Sequence, residues 1–326
     1  MTAKKNMERD KYPLVTAFTL VYNSGVYAIK SIECIRLNKY PNIEHIIIDD
    51  FSTDGTSVKI IEDYISKNNY KCTYIKHEKN LGICKTLNEI LKLSNGKYIF
   101  GLSDDIISEY KIIDDVDQFE KLPEDYAVVH SMLQYMNHNG SILYPYILPQ
   151  FVYPNNINDD LTINDLLKHG GLIATPTAMI RRDSIIKIGG WNENLMYEDT
   201  PMWFAFAEKN LKFKFRPFIT TYYRRTANQI TNIETSERSG ALLNAVKVYG
   251  PYLIYKRANI NLFIIFLMAV NKRNKELNSA LNIYKSYPFA KKRIYYFFKI
   301  IPLFSFLISF FLNLKEKIKN YIFNEQ

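Results

Sequence analysis

The chain predicts an α/β fold built on a mostly parallel central sheet. Three observations carry that expectation. Over the first hundred residues, short apolar runs alternate with segments of helical period, the pattern of repeated β-α-β units. Two of the runs stop on adjacent carboxylates, Asp49-Asp50 and Asp104-Asp105, and the first run stops on Tyr22-Asn23. Polar groups just past the carboxyl ends of parallel strands lie where open α/β sheets bind ligands.

Each element follows from its residues. Leu14 to Tyr22 is an uninterrupted strand-forming run bounded by Pro13 and by Asn23-Ser24-Gly25. From Val26 to Lys39 the spacing predicts a helix with Ala28, Ile32 and Ile35 on one face. Pro41-Asn42 breaks the chain, and Ile43 to Asp49 is the second strand. Ser52-Thr53-Asp54-Gly55-Thr56 turns into a helix carrying Val58, Ile61 and Ile65, with Asp54 placed to cap it. Cys72 to Lys76 is the third strand, and Asn80-Leu81-Gly82 turns into a helix with Leu87, Ile90 and Leu91. Asn95-Gly96 opens the fourth strand, which runs through Ile99 and Phe100 to Asp104-Asp105. Ala127 to Met132 is a further apolar segment, and Met136 to Ser141 reads as a hairpin-type turn. Residues 144–160 are rich in Pro, Tyr and Asn, have no clean period and read as a loop.

Composition sets the bounds. With 326 residues, 47% of them apolar, the chain can bury a large core, so wholesale disorder is excluded. Cys34, Cys72 and Cys84 have neither metal spacing nor a paired pattern and read as reduced thiols. The five His show no metal spacing either. No G-x-G-x-x-G follows the first strand, and no P-loop pattern occurs, so two common nucleotide-binding designs are absent.

Adjacent carboxylates repel, so Asp104 and Asp105 need a cation or hydrogen-bond donors to stay ionised. A hard divalent metal carrying phosphate oxygens would supply the cation. A solvated turn with Asp as helix cap is the other reading of the pair taken alone.

Four motifs together make the chain recognisable. Tyr22-Asn23, Ile47-Ile48-Asp49-Asp50-Phe51-Ser52-Thr53-Asp54-Gly55-Thr56, Asn80-x-Gly82 with Leu87-Asn88, and Gly96-Lys97-Tyr98-Ile99 leading to Asp104-Asp105 occur in the order seen in family 2 glycosyltransferases. Downstream, Gly189-Gly190-Trp191-Asn192-Glu193 and then Glu198-Asp199 at a helix start resemble the second hallmark of that family. The resemblance covers roughly residues 13 to 230. It implies a GT-A fold, a nucleotide-diphospho-sugar donor and sugar transfer.

Residue by residue, the resemblance makes Asp199 the catalytic base, with Glu198 beside it. Asp104 and Asp105 stand where the family binds Mn²⁺ or Mg²⁺ and the ribose, Asp50 where it meets the nucleobase, and Tyr22-Asn23 where the base stacks. Lys85 either reaches a phosphate or lies on a solvated helix face. Trp191 either stacks on a sugar or wedges into the core, and Asp49 either binds a ligand or caps a turn. Two departures stand out. Leu102 occupies the first acid position of the usual D-x-D, and Thr226 follows Tyr223-Arg224-Arg225 where many members place a histidine. Arg224 and Arg225 are therefore expected to contact the diphosphate directly. The Gln-x-x-Arg-Trp signature of processive members is absent, which favours addition of a single sugar, and the base-assisted single displacement that the resemblance implies would invert the anomeric carbon.

Three regions are expected: a polar arm (1–12), a GT-A domain (13–235) and a helical, basic and apolar C-terminal extension (236–326). The arm has no apolar segment and does not read as a secretory signal. Most of the formal charge of +9 lies in the tail, where residues 285–326 hold eight Lys or Arg against two Glu. Asn261 to Val270 is a strongly apolar helix candidate. The uncharged run Ile300 to Leu314 is 15 residues long, short of the ~20 that span a bilayer, and is flanked by basic groups. An in-plane or re-entrant anchor on anionic lipid is the first reading, a tilted span the second, and packing on the catalytic domain or on a twin subunit of a homodimer the third. The corresponding partners are a nucleotide-sugar donor (UDP-sugar first), a lipid-linked glycan acceptor of a surface polysaccharide such as O-antigen or capsule, and the inner face of the cell membrane, with no nucleic acid. A nucleotide-sugar-binding protein of the same fold without catalysis is the alternative.

Overall fold

The computed structural model describes residues 12–143, 166, 173–195 and 198–226. The chain divides into two compact units, Met1–Ala227 and Asn228–Gln326, and every described residue lies in the first. The expectations for the arm, for the loop at 144–160 and for the C-terminal extension fall outside the described residues.

The described elements are β1 (Val15–Val21), α1 (Gly25–Arg36), β2 (Ile43–Asp49), α2 (Ser57–Lys67), β3 (Thr73–Lys76), α3 (Ile83–Leu93), β4 (Tyr98–Leu102), β5 (Ile106–Ile107), α4 (Lys111–Phe119), β6 (Tyr126–Met136), β7 (Met179–Arg181), α5 (Arg182–Lys187), α6 (Asp199–Glu208) and β8 (Lys212–Arg224). A 3-10 turn, Thr175–Thr177, precedes β7. They form one eight-stranded sheet in the order β3-β2-β1-β4-β7-β6-β8-β5. The half β3-β2-β1-β4 is parallel, as the alternation of strands and helices predicts. β7 is antiparallel to both neighbours, while β6 and β8 run parallel to each other.

The mostly parallel α/β sheet of the sequence reading is thus present. The short edge partner β5 and the reversed β7 were not foreseen, since neither has a length or period that marks a strand. β8 slips register against β6 between Arg216 and Ile219, where Pro217 cannot donate to the ladder. That bulge lets the strand continue to Arg224, beside the end of β4.

Side chains alternate across the sheet into distinct cores. Phe18, Ile46 and Ile48 pack with Leu87 and Ile90 of α3 and Trp203 and Phe206 of α6. Ala17, Tyr98 and Phe100 face α4 through Ile112, Val116 and Phe119. Ala28 and Ile32 of α1 join Ile47 and Ile61, so the predicted face of α1 is the buried one. Gly101 is glycine for want of room, because a Cβ there would sit 1.8 Å from the Phe18 ring.

His45 and His130 are buried in this framework. His45 bonds Thr19 Oγ1 at 3.0 Å and the Tyr70 hydroxyl at 2.8 Å. Burial pushes His45 down to about 3 and His130 down to about 3, with the charge of Lys111 adding to the second. Both are neutral in the folded chain, whereas an unfolded His protonates below about 6.5. Their contribution to stability is therefore full above that value and is lost as the pH falls toward 3. Burial raises the carboxyls of Asp105 and Glu198, whose contribution grows as the pH falls over the same range, so the His contribution is read as a difference: the stability advantage of the parent chain over His45→Gln in denaturation should shrink by up to ~1.4 kcal/mol per pH unit below pH 6.5. A difference that stays level between pH 7 and pH 5 would contradict the assignment.

Candidate active site

The parallel register sets the carboxyl ends of β1, β2 and β4 side by side, pairing Val21 with Asp49 and Thr19 with Leu102. The residues that follow these strands make the site.

Tyr22 is half exposed, and Asn23 adopts a left-handed φ of 53°. Asn23 spends its amide locally. Its Oδ1 accepts from the N–H of Thr53 at 2.7 Å and of Asp54 at 3.1 Å, and its own N–H donates to Ser52 Oγ at 2.9 Å. It therefore ties the loop after β1 to the loop after β2. Asp49 accepts from the Ser52 N–H at 2.7 Å, so its turn-capping reading holds, while its Oδ2 has no partner. Asp54 accepts from the N–H of Thr56 and Ser57. Burial raises it, but the bonds from Ser57 and Thr56 outweigh that and hold it below the usual range.

Asp50 is a clamp. Its Oδ1 accepts from Leu81 N–H and from His77 Nδ1, both at 2.8 Å, and its Oδ2 accepts from Gly82 N–H at 2.9 Å. His77 reaches Glu89 of α3 with its other nitrogen at 3.0 Å. The Asp50–His77–Glu89 chain fixes the turn that starts α3. His77, which has no metal spacing, thus has a structural role here. The signal for it was strand register: Asp49 pairs with Lys76, so the next residues of β2 and β3 fall together. Lys85 is exposed in the first turn of α3.

The acid turn follows β4. Leu102, at the expected acid position, is buried in the core with Phe100 and Ile107. Asp105 is buried, and its Oδ1 accepts from Arg224 N–H at 2.8 Å. Its backbone oxygen accepts from Ser31 Oγ at 2.7 Å. Burial pushes Asp105 up to about 7 against the Arg224 N–H, and the charge of Asp104 adds to the rise. Asp104 is also raised by burial, opposed by a hydrogen bond from Ser24 and by the charge of Arg224. Asp104 Oδ1 is buried without a hydrogen-bond partner. An orphan carboxylate oxygen beside a second carboxylate is a donor set that suits a hard divalent cation, with further oxygens from a diphosphate and water. Among the described residues no group of three or more His, Cys, Asp or Glu could close a metal site without them.

Arg224 is buried, and its guanidinium donates to the backbone oxygens of Asp104 and His138, each at 2.9 Å, while it covers the Tyr27 ring at 5.0 Å. These bonds commit it to building the acid turn rather than to reaching outward. Arg225 bonds Met136 O through its backbone N–H at 2.8 Å, and its guanidinium lies 5.6 Å from the Tyr135 ring.

On the other side, Gly189 and Gly190 both take left-handed φ, 86° and 83°. A Cβ on Gly190 would lie 2.5 Å from Asn88 Oδ1. That oxygen accepts from Trp191 N–H at 2.8 Å, and Asn88 Nδ2 donates to Trp191 O at 2.9 Å, so one amide of α3 grips the Trp191 backbone through both its N–H and its C=O. Trp191 is buried in the core with Leu195, Met202 and Trp203, which makes the ring a wedge; its indole N–H has no partner.

Asp199 opens α6, where the helix N-terminus favours negative charge. Glu198 accepts from Thr175 Oγ1 at 3.3 Å. Burial, and then the charge of Asp199, push Glu198 upward. The Thr175–Thr177 turn is itself anchored: Thr177 O accepts from buried Lys111 at 2.9 Å, and Pro176 O accepts from Thr221 at 3.1 Å. Glu198, Glu193 and Asp199 all act on Cys84 of α3, whose thiol burial pushes up to about 12.

Residues 16–189 match the family described as Glycosyl transferase family 2. An uncharacterized glycosyltransferase of Rickettsia felis is 31% identical over 209 residues, 63% of this chain and 33% of that protein. An Escherichia coli K12 protein named for colanic acid biosynthesis, the glycosyl transferase WcaA, is 34% identical over 94 residues, 28% of this chain and 33% of its own length. The chain thus spans 33% of the length of each of these two relatives. Among solved structures, S. aureus TarS 1–349 in complex with UDP-GlcNAc superposes with a TM-score of 0.62 at 14% identity, over 93% of this chain and 92% of that one. The mannosyltransferase PcManGT from Pyrobaculum calidifontis, in complex with GDP-Man and Mn²⁺, gives 0.55 at 14% identity, over 94% of this chain and 88% of that one. At such identity the likeness is one of fold.

Asp50→Ala would leave two backbone N–H groups and His77 without their acceptor. Removing a charged acceptor from buried donors costs about 2–4 kcal/mol, so chemical denaturation should show a loss of that order. An unchanged midpoint would mean that the clamp is not formed.

Proposed function

The chain belongs to glycosyl transferase family 2, a glycosyltransferase with the GT-A fold, and from that premise we propose that it transfers one sugar from a nucleotide-sugar donor to a hydroxyl of a glycan acceptor, non-processively and with inversion. The observation that carries the proposal is the acid turn, which presents a buried, unpartnered oxygen of Asp104 beside Asp105 at the carboxyl end of a central strand.

We assign Tyr22, with Asn23 and Asp50 shaping the loops around it, to the nucleobase. Lys85 is assigned to the phosphates, and Arg225 to the diphosphate or acceptor side. Arg224 acts by holding the acid turn, and Trp191 by wedging the loop that leads to Glu198-Asp199. Asp104 and Asp105 would hold Mn²⁺ or Mg²⁺, which when bound neutralises the departing diphosphate. Asp199 is the base that accepts the proton of the attacking hydroxyl. Glu198, raised by burial and by the charge of Asp199, stands beside it.

UDP-sugars are the first donors to consider, given TarS bound to UDP-GlcNAc. The acceptor is taken to be a lipid-linked glycan in polysaccharide biosynthesis, in keeping with the colanic acid name of one relative. The basic, apolar tail supports a peripheral location at the inner membrane face, on anionic lipid, or else contact with a twin subunit. Among the described residues no helix is long and apolar enough to cross a membrane. A second reading, donor binding without turnover, draws on Leu102, whose place in the core leaves the turn one acid short.

Release of nucleoside diphosphate from UDP-, GDP- and dTDP-sugars, with Mn²⁺, with Mg²⁺ and with a chelator, tests the proposal. Metal-dependent release from one donor is expected, with kcat lowered about 10²–10⁴-fold in Asp199→Asn and donor KM little changed. Donor binding by calorimetry without release, in the presence of a panel of glycan acceptors, would support the second reading instead.

A further inference from the structure

Nine large apolar side chains are left exposed among the described residues, and two of them, Tyr22 and Phe51, lie in the β1–α1 and β2–α2 connections. These connections form one mouth. Asp50 N–H donates to Val21 O at 2.8 Å, so Tyr22 and Phe51 each follow one end of a bonded pair. Asn23 then laces the two loops through Ser52, Thr53 and Asp54.

Phe51 is unusual in its backbone as well as its exposure. Its φ of 68° is left-handed, a region that glycine enters freely and a bulky residue does not. The chain holds it there from both sides. Asp49 bonds the Ser52 N–H after it, and Asp50 before it is clamped by Leu81, Gly82 and His77. A loop that needed only to turn at this position would be better served by glycine. Strain of this kind persists where the surrounding structure over-determines it, and it concentrates at ligand sites. The ring remains 42% exposed, so it does not offset the strain by filling the core.

We propose that Phe51 is a second aromatic wall of the nucleobase subsite, set opposite or beside Tyr22 to take the planar base of the donor. This rests on the donor reading above and adds a specificity residue to it. The sheet order supports the placement. β2 lies two strands from β4, so Phe51 stands about 10 Å from the acid turn along the sheet. The diphosphate would lie at β4 and the base at β2, with the nucleoside bridging the strand between them.

Calorimetry on the full chain with Mn²⁺ tests this, using UDP and inorganic diphosphate as the probes with and without a base. Stacking on an aromatic side chain is lost as roughly a five- to 150-fold drop in affinity. Phe51→Gly should weaken UDP binding by at least about fivefold, leave diphosphate binding unchanged, and keep or raise Tm, since the left-handed backbone is then unstrained. Phe51→Tyr should restore UDP binding. UDP affinity unchanged in Phe51→Gly would overturn the proposal and leave the donor reading standing. So would an equal loss for both probes, or a lowered Tm, which would make the ring a structural element. No binding of UDP, GDP or dTDP by the unaltered chain would remove the proposal and the donor reading together.

Discussion

A carboxylate at the end of a buried strand must be given hydrogen-bond donors or a cation, or it gives up its charge. This protein places four of them there: Asp49 at the end of β2 with Asp50 after it, and Asp104 and Asp105 after β4. The loops around the site are largely the answer to that constraint. Ser52 supplies Asp49, Leu81 with Gly82 and His77 supplies Asp50, and the backbone of Arg224 supplies Asp105. Asp104 Oδ1 is left unanswered by the protein, at the position where a substrate-bound cation would answer it.

The same bonds connect parts of the chain that are far apart in sequence. Arg224 carries β8 to the acid turn 120 residues before it, and Asn88 holds Trp191 from 103 residues away. In both cases a polar side chain on a regular element grips the backbone of an irregular one. The candidate base Asp199 thus starts a helix whose approach is fixed by the Gly189-Gly190-Trp191 loop and by the anchored Thr175–Thr177 turn.

Much of this was legible in the residues. The four parallel strands and their helices follow from apolar runs bounded by Pro, Gly and Asn, and the motifs mark the strand ends that form the candidate site. The partners of those ends were less visible. Asn23, Asp50 and Arg224 were expected to face ligand, yet the bonds they make run to neighbouring loops and to the acid turn. His77 carries no spacing signal, because its partners Asp50 and Glu89 come from separate elements that only the sheet register unites. β7 and β5 have three and two residues, too few for a period to show. Phe51 was visible as a letter in a motif, but its left-handed backbone is a property of the fold.

The central claim is that Asp104 offers its free oxygen to a divalent cation shared with the donor diphosphate. Titration of Mn²⁺ followed by electron paramagnetic resonance, with and without UDP, tests it most directly. Weak Mn²⁺ binding alone, at least tenfold tighter binding with UDP, and loss of that gain in Asp104→Asn is the predicted result. Mn²⁺ affinity that is indifferent to UDP, or a gain that survives in Asp104→Asn, would contradict the account.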